Sequence, residues 1–178
     1  MNPRISPGCR PDVGFVIAGF ARIAGRTMGT EPPAIFLTLG RHRRLFWGWL
    51  HFAGRLMPGG RLPRRETELV ILRVATLTGC AYERAHHEHL GRRAGLTAED
   101  LARVATGPGA DGWSDRERLL LTATDELHRD RDLGDDTWQR LSEVLDERSR
   151  IELLMLVGHY EMLATTLNTL RVQPDRRR

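Results

Sequence analysis

An all-α, single-domain fold is what the sequence predicts, and three observations predict it. Apolar residues recur at intervals of three and four, glycine and proline clusters divide the chain into helix-length segments, and runs of alternating β-branched residues are scarce. The 178 residues suffice for one domain with a proper core.

Residues 1–12 carry Pro3, Pro7, Gly8 and Pro11 and read as irregular. A short helix is expected from Val13 to Ala24, ended by Gly25 and Gly29, so 1–30 forms an N-terminal arm with one short helix. Pro32-Pro33 suits a helix start, and Ile35, Phe36, Leu39, Leu45, Phe46, Trp49, Phe52 and Leu56 then describe one amphipathic, aromatic-rich helix. Pro58-Gly59-Gly60 stops it. Pro63 opens the next, Arg64 to Leu77, which is apolar almost all round and belongs in the middle of the domain. Thr78-Gly79 breaks the chain before a helix from Cys80 to Ala94, where Gly95-Leu96 reads as a left-handed cap. A short helix begins over Thr97 to Asp100, and 107–112 is the clearest loop. Ser114 to Glu117 has capping-box spacing ahead of Leu119, Leu120, Ala123 and Leu127. Asp135-Asp136-Thr137 starts a helix to about Leu145, and Ser149 is expected to cap a last long one, Ile151 to Leu170. The helical domain thus spans 31–172, and 173–178 is a basic tail.

The net charge of +4 comes from arginine, because the chain contains no lysine. That excludes Schiff-base lysines, a lysine-anchored pyridoxal cofactor and a phosphate-loop lysine, and no cofactor is expected. Two cysteines, Cys9 and Cys80, build no disulfide framework and offer no paired metal spacing, which points to a reducing, cytoplasmic setting. The apolar piece 15–21 is cut short by Arg22 and is too short to span a membrane, so no membrane partner is expected. The pairs Arg43-Arg44, Arg64-Arg65 and Arg92-Arg93 read as solvated faces or ion pairs, and no nucleic-acid partner is expected. His87-Glu88-His89 lacks zincin spacing, so no metal is expected either.

Chemistry concentrates at Cys80, Glu83 and His87. Their spacing of three and four, seven residues in all, is about two helical turns and stacks them on one face. Cys80 opens its helix, where unpaired N–H groups and the positive dipole end favour thiolate. His87 is a candidate base, with Glu83 to orient it or relay its proton. Glu68, twelve residues before Cys80 on the apolar helix, can fold back beside the same site. Plainer roles compete: Cys80 as a small buried hydrophobe, Glu83 and His87 as a helix-stabilising pair. Tyr82, Arg84 and His86, interleaved on the same helix, are expected to contact substrate.

The run from Arg64 to Ala75, then Thr78-Gly79-Cys80-Ala81-Tyr82-Glu83, His86-His87 and Ala94-Gly95-Leu96-Thr97, resembles the carboxymuconolactone decarboxylase family, which includes the alkylhydroperoxidase D-like proteins. Trp113-Ser114-Asp115, Asp125 to His128 and Val157 to Tyr160 extend the likeness. The resemblance implies an all-helical homo-oligomer. In the alkylhydroperoxidase branch it implies two cysteines separated by two residues, a His four after the second and a Glu twelve before the first. Here Glu68, Cys80 and His87 occupy three of these positions, and Glu83 stands where the second cysteine would be.

Three functions follow as expectations. The first is a thiol peroxidase cycling Cys80 alone through a sulfenic acid, with peroxide as substrate and an external thiol as reductant. The second is a cofactor-free decarboxylase or lactone enzyme in which Glu83 and His87 move protons while Arg73 or Arg84 holds a small carboxylate substrate. The third is a non-catalytic, ligand-binding helical oligomer.

Overall fold

The computed structural model describes residues 2–176 and places nine α-helices among them: α1 (Arg10–Met28), α2 (Ala34–Leu39), α3 (Arg43–Leu56), α4 (Arg64–Leu77), α5 (Ala81–Arg93), α6 (Ala98–Thr106), α7 (Asp115–Asp130), α8 (Asp135–Val144) and α9 (Glu147–Leu170). Arg177 and Arg178 of the basic tail lie outside the described residues. The all-α expectation holds.

α4 is the axis. Every residue from Thr67 to Ala75 is buried, and α5, α6, α7 and α9 pack around it. Its central position follows from a sequence with no polar stripe wide enough to face water over those positions. The main core joins Val70, Ile71 and Val74 of α4 to Leu120 and Ala123 of α7 and to Leu153, Leu156 and Leu167 of α9. A second cluster sets Leu69 and Leu72 against Leu101, Val104 and Trp113, and a third sets Val13 and Ile17 of α1 on Phe46 of α3.

Several boundaries differ from the sequence reading. α1 starts at Arg10, inside the stretch read as irregular, and runs through Gly25 to end at Gly29 (φ 69°); glycine at 25 serves a close approach, since a Cβ there would meet the Glu31 carbonyl at 2.6 Å. The single helix expected over 35–56 is two: the chain turns at Gly40, and His42 Nδ1 accepts the Leu45 N–H at 3.3 Å to start α3. Apolar spacing continues across that turn, which is why periodicity alone runs the helices together. α9 is capped by Asp146, whose carboxylate accepts the Ser149 N–H at 2.8 Å. Ser149 is the donor in this cap and not the capping side chain.

The turn between α4 and α5 positions the site. Thr78 ends α4 and Gly79 follows at φ 62°, with Gly79 N–H donating to Thr76 O (3.2 Å) and Cys80 N–H to Ala75 O (2.9 Å). This double bond pattern is a Schellman cap, which needs a left-handed residue and so favours glycine. It delivers Cys80 as the N-cap residue of α5. From α9, the Asn168 amide donates to Thr78 O at 3.0 Å and clamps the turn.

The chain ends meet near the same place. Asp175 accepts the Ala34 N–H at 2.8 Å, satisfying an N-terminal donor of α2, and its other oxygen accepts the Tyr82 hydroxyl at 2.7 Å. Arg4 N–H donates to Leu170 O and Glu31 N–H to Arg176 O.

Candidate active site

Successive turns of α5 bury Tyr82, Glu83 and His87 against the core and leave Arg84 exposed. Cys80, Glu83 and His87 therefore share the inward side of the helix start, as their spacing requires. From α4, Glu68 reaches the same place with no exposed surface, and its Oε2 stands 2.7 Å from His87 Nδ1. A carboxylate at Nδ1 assigns a proton there, so Nδ1–H donates to Glu68 and Nε2 is the nitrogen left to exchange a proton. Arg64, one turn before Glu68, brings Nη2 to 2.7 Å from the other carboxylate oxygen as an ion pair without hydrogen-bond alignment.

Glu83 is 3% exposed, and neither carboxylate oxygen has a hydrogen-bond partner. Burial is the largest influence on it and pushes its carboxyl up to about 8, with the nearby Glu161 charge adding to the rise. It is therefore mostly the neutral acid at pH 7. The Cys80 thiol sits on the same face and holds the Glu83 carboxyl back from rising further.

Cys80 itself departs from expectation. It is 1% exposed, and burial, reinforced by Glu83, pushes its thiol up to about 12. The helix N-terminus does not win here: desolvation of a thiolate outweighs the dipole, and the thiol stays protonated at neutral pH. Cys9 is exposed at the start of α1, where the Asp12 carboxylate accepts its backbone N–H and its thiol.

An apolar cavity of about 360 Å³ opens beside α5, between α2, α3 and α9. Glu83, His86, His87 and Tyr82 line it, and Cys80, Glu68 and Arg84 do not. Arg84 instead pairs with Glu88 at 3.0 Å on the surface. Arg73 is fully engaged elsewhere, bound through Nε and Nη2 to Asp125 at 2.6 and 2.8 Å and through Nη1 to two carbonyls ending α6. Neither arginine is placed to hold a substrate carboxylate in this cavity. Tyr82 contributes its ring only, since its hydroxyl is committed to Asp175. His86 separates the cavity from a smaller neighbour of about 210 Å³, and burial holds its imidazole down at about 3.

Two lining groups arrive from distant helices. His159 of α9 is 4% exposed, its Nδ1 is buried without a partner, and burial lowers it to about 4. Trp49 of α3 stacks on it, ring planes 13° apart and centroids 6.4 Å apart, and the indole Nε1 is likewise buried without a partner. Tyr160 stands edge-on to both His87 and His159, at 5.1 and 5.2 Å. His159 did not enter the candidate list read from the sequence, and Trp49 entered it only within the aromatic group Phe46, Trp47, Trp49 and Phe52, read as core, subunit interface or pocket lining. The signal available was a histidine on the apolar face of the last helix, which needs a partner for its face to be understood. Among the described residues, no group of three or more His, Cys, Asp or Glu side chains is placed to hold a metal ion.

Residues 43–126 match the model of the carboxymuconolactone decarboxylase family, a span running from the start of α3 into α7 and containing Glu68, Cys80, Glu83 and His87. None of the curated protein sequences matches the chain. Solved structures share its fold. An uncharacterized peroxidase-related protein with an alkylhydroperoxidase AhpD core from Ralstonia eutropha JMP134 superposes with a TM-score of 0.83 at 19% identity, over 98% of this chain and 94% of that one. A peroxidase-related protein from Silicibacter sp. TM1040 gives 0.80 at 14% identity, over 88% and 83%. The debrominase Bmp8, in a variant solved with 2,3,4-tribromopyrrole, gives 0.81 at 17% identity, over 97% and 92%.

Proposed function

We propose that this chain, which carries the carboxymuconolactone decarboxylase family match on an alkylhydroperoxidase D-like fold, is an acid–base enzyme that transfers protons on a small carbonyl compound. The observation that carries the reading is the lining of the cavity: it includes both Glu83 and His87 and does not include Cys80. One is a neutral acid at pH 7, the other an imidazole held by a buried carboxylate with Nε2 free. Two titratable groups in one cavity with opposite proton inventories divide the work of general acid and general base.

In the proposed cycle His87 Nε2 takes a proton from the carbon next to the substrate carbonyl, and the carbonyl oxygen takes the proton of Glu83, giving an enol. The Glu68 carboxylate steadies the imidazolium that forms, and its bond to Nδ1 keeps the ring oriented. Return of the enol proton to Glu83 and of the imidazolium proton to the same carbon, or to a conjugated one, regenerates the side chains and leaves starting material or its isomer. Lactone isomerisation and protonation of the carbanion left by decarboxylation use the same two transfers.

A single-cysteine peroxidase cycle has less support, because a thiol buried to 1% and held up at about 12 supplies little thiolate to attack a peroxide. The test is exchange of deuterium from D2O into a panel of cyclic ketones and lactones, followed by proton NMR. Wild type and Cys80→Ala should exchange at similar rates, and Glu83→Gln and His87→Asn should not. Exchange that survives in both of these variants, or hydroperoxide turnover that vanishes with Cys80→Ala, would sink the reading.

A further inference from the structure

The first three helices concentrate positive charge. Through residue 60 the chain carries eight arginines and two acids, Asp12 and Glu31, although its net charge over 178 residues is only +4. Asp12 is spent locally, accepting the Cys9 N–H at 2.8 Å and pairing with Arg41 at 3.1 Å. Arg10, Arg22 and Arg26 of α1 and Arg43 and Arg44 of α3 are all exposed.

The same surface presents large apolar side chains to solvent. Phe15 and Val16 of α1 are 70% and 71% exposed, and Ile23 of α1 and Trp47 of α3 are exposed as well. Phe15, Val16 and Trp47 line one surface hollow together with Arg10 and Arg43, and Trp47 reaches Phe20 of α1 at 6.3 Å between ring centroids. Ile23 lies two helical turns beyond Val16, on the same side of α1. The Arg10 guanidinium sits 3.8 Å over the Phe15 ring, so a cation and an exposed aromatic stand together.

Apolar groups exposed in a patch and rimmed by charge mark a docking surface, and the sign of the charge says what docks. A two-fold contact with a second copy would set these arginines against their own images, which like-charge repulsion opposes. An anionic bilayer raises no such conflict: apolar side chains enter the boundary between headgroups and acyl chains while arginines stay at the level of the phosphates. Trp47 suits the same depth, because an indole favours the membrane–water interface. The apolar stretch 15–21 is too short to cross a membrane, and no described helix is long and apolar enough to do so, but lying in the interface requires no span.

We propose that the α1–α3 face docks on membrane surfaces that carry anionic phospholipid, with Phe15, Val16, Ile23 and Trp47 entering the boundary layer and the five arginines meeting the phosphates. The proposal is independent of the proton-transfer reading, since none of these side chains lines the 360 Å³ cavity.

The test is cosedimentation of the full chain with sucrose-loaded vesicles, either of phosphatidylcholine alone or of phosphatidylcholine mixed with phosphatidylglycerol. Wild type should partition at least about tenfold more strongly onto the mixed vesicles, and high salt should remove most of that difference. Arg22→Gln with Arg26→Gln should weaken binding to the mixed vesicles by about tenfold or more. Phe15→Ser with Ile23→Ser should weaken it by about tenfold, with an unchanged melting temperature because both side chains are exposed. Ile151→Ser with Met155→Ser, which removes exposed apolar groups from α9 instead, should bind as wild type does. Equal binding to the two kinds of vesicle, unchanged binding in both patch variants, or an equal loss in the α9 variant overturns the proposal. So does an oligomer, read by sedimentation velocity without lipid, that the Phe15 and Ile23 substitutions dissociate while wild type ignores both vesicles; that outcome would assign the face to a second copy.

Discussion

Arg73 and Glu83 are buried to similar depth, 7% and 3% exposed, yet their surroundings are opposites. Between α4 and α7, the Arg73 guanidinium spends its donors on both Asp125 oxygens and on the Val104 and Ala105 carbonyls. On the α5 side of the same axis, Glu83 has no partner for either oxygen, and Trp49 and His159 each keep a ring nitrogen unpaired. The first arrangement ties three helices together and leaves nothing for a ligand. The second costs stability and holds its hydrogen-bonding capacity in reserve. Arg73, with its donors paired, holds the fold, whereas Glu83, with its oxygens unpaired, is placed for chemistry.

That contrast can be broken most sharply at Glu83. Glu83→Gln keeps shape and removes the acid, so the proposed proton transfer should fall roughly 10²- to 10⁴-fold in the deuterium-exchange assay, while the thermal midpoint stays level or rises. Arg73→Ala is its mirror image. It strands Asp125 and two carbonyls and should cost about 3 kcal/mol in urea unfolding, with deuterium exchange preserved in the fraction that folds.

A third prediction concerns pH. The folded-state carboxyl of Glu83, at about 8, lies above its ordinary value of 4.5, so the folded state binds more protons than the unfolded state between these values. Its contribution to stability is complete below about 4.5 and is lost as pH rises through 8. Unfolding free energies of wild type relative to Glu83→Gln should therefore fall by on the order of 2 kcal/mol across that window, a figure lowered because the cavity admits water. Exchange activity should decline above pH 8 as the acid ionises. A flat difference between the two proteins would mean that Glu83 is not desolvated.

The smallest effects belong to Cys80. Cys80→Ala should lose about 1 kcal/mol of stability, as removal of one small buried group does, and leave exchange unchanged. Titration with a disulfide reagent should find one reactive thiol in the native protein, Cys9, and two after denaturation.

The local part of this site is written in the sequence because it obeys helical periodicity. Cys80, Glu83 and His87 fall on one face, Glu68 meets His87, and the box at Ser114 closes as its spacing says. What escapes the sequence is whatever depends on desolvation or on meetings between distant helices. The dipole at the start of α5 argues for a thiolate at Cys80, and only the packing of α4 and α9 around it reverses the sign. Trp49 and His159 are 110 residues apart and have no local signature that joins them. Arg73 and Arg84 look interchangeable as carboxylate clamps until the structure commits one to Asp125 and puts the other on the surface.

Asp175 gives the architecture a temporal consequence. It closes the α2 N-terminus across 141 residues of chain and holds Tyr82, a wall residue of the cavity. During synthesis, α4 and α5 can pair long before this carboxylate leaves the ribosome, so Glu68 and His87 can find each other early while the wall beside them stays open. The wall is latched only when Asp175 arrives. Until then a nascent chain holds its proton-transfer pair assembled beside an unlatched wall.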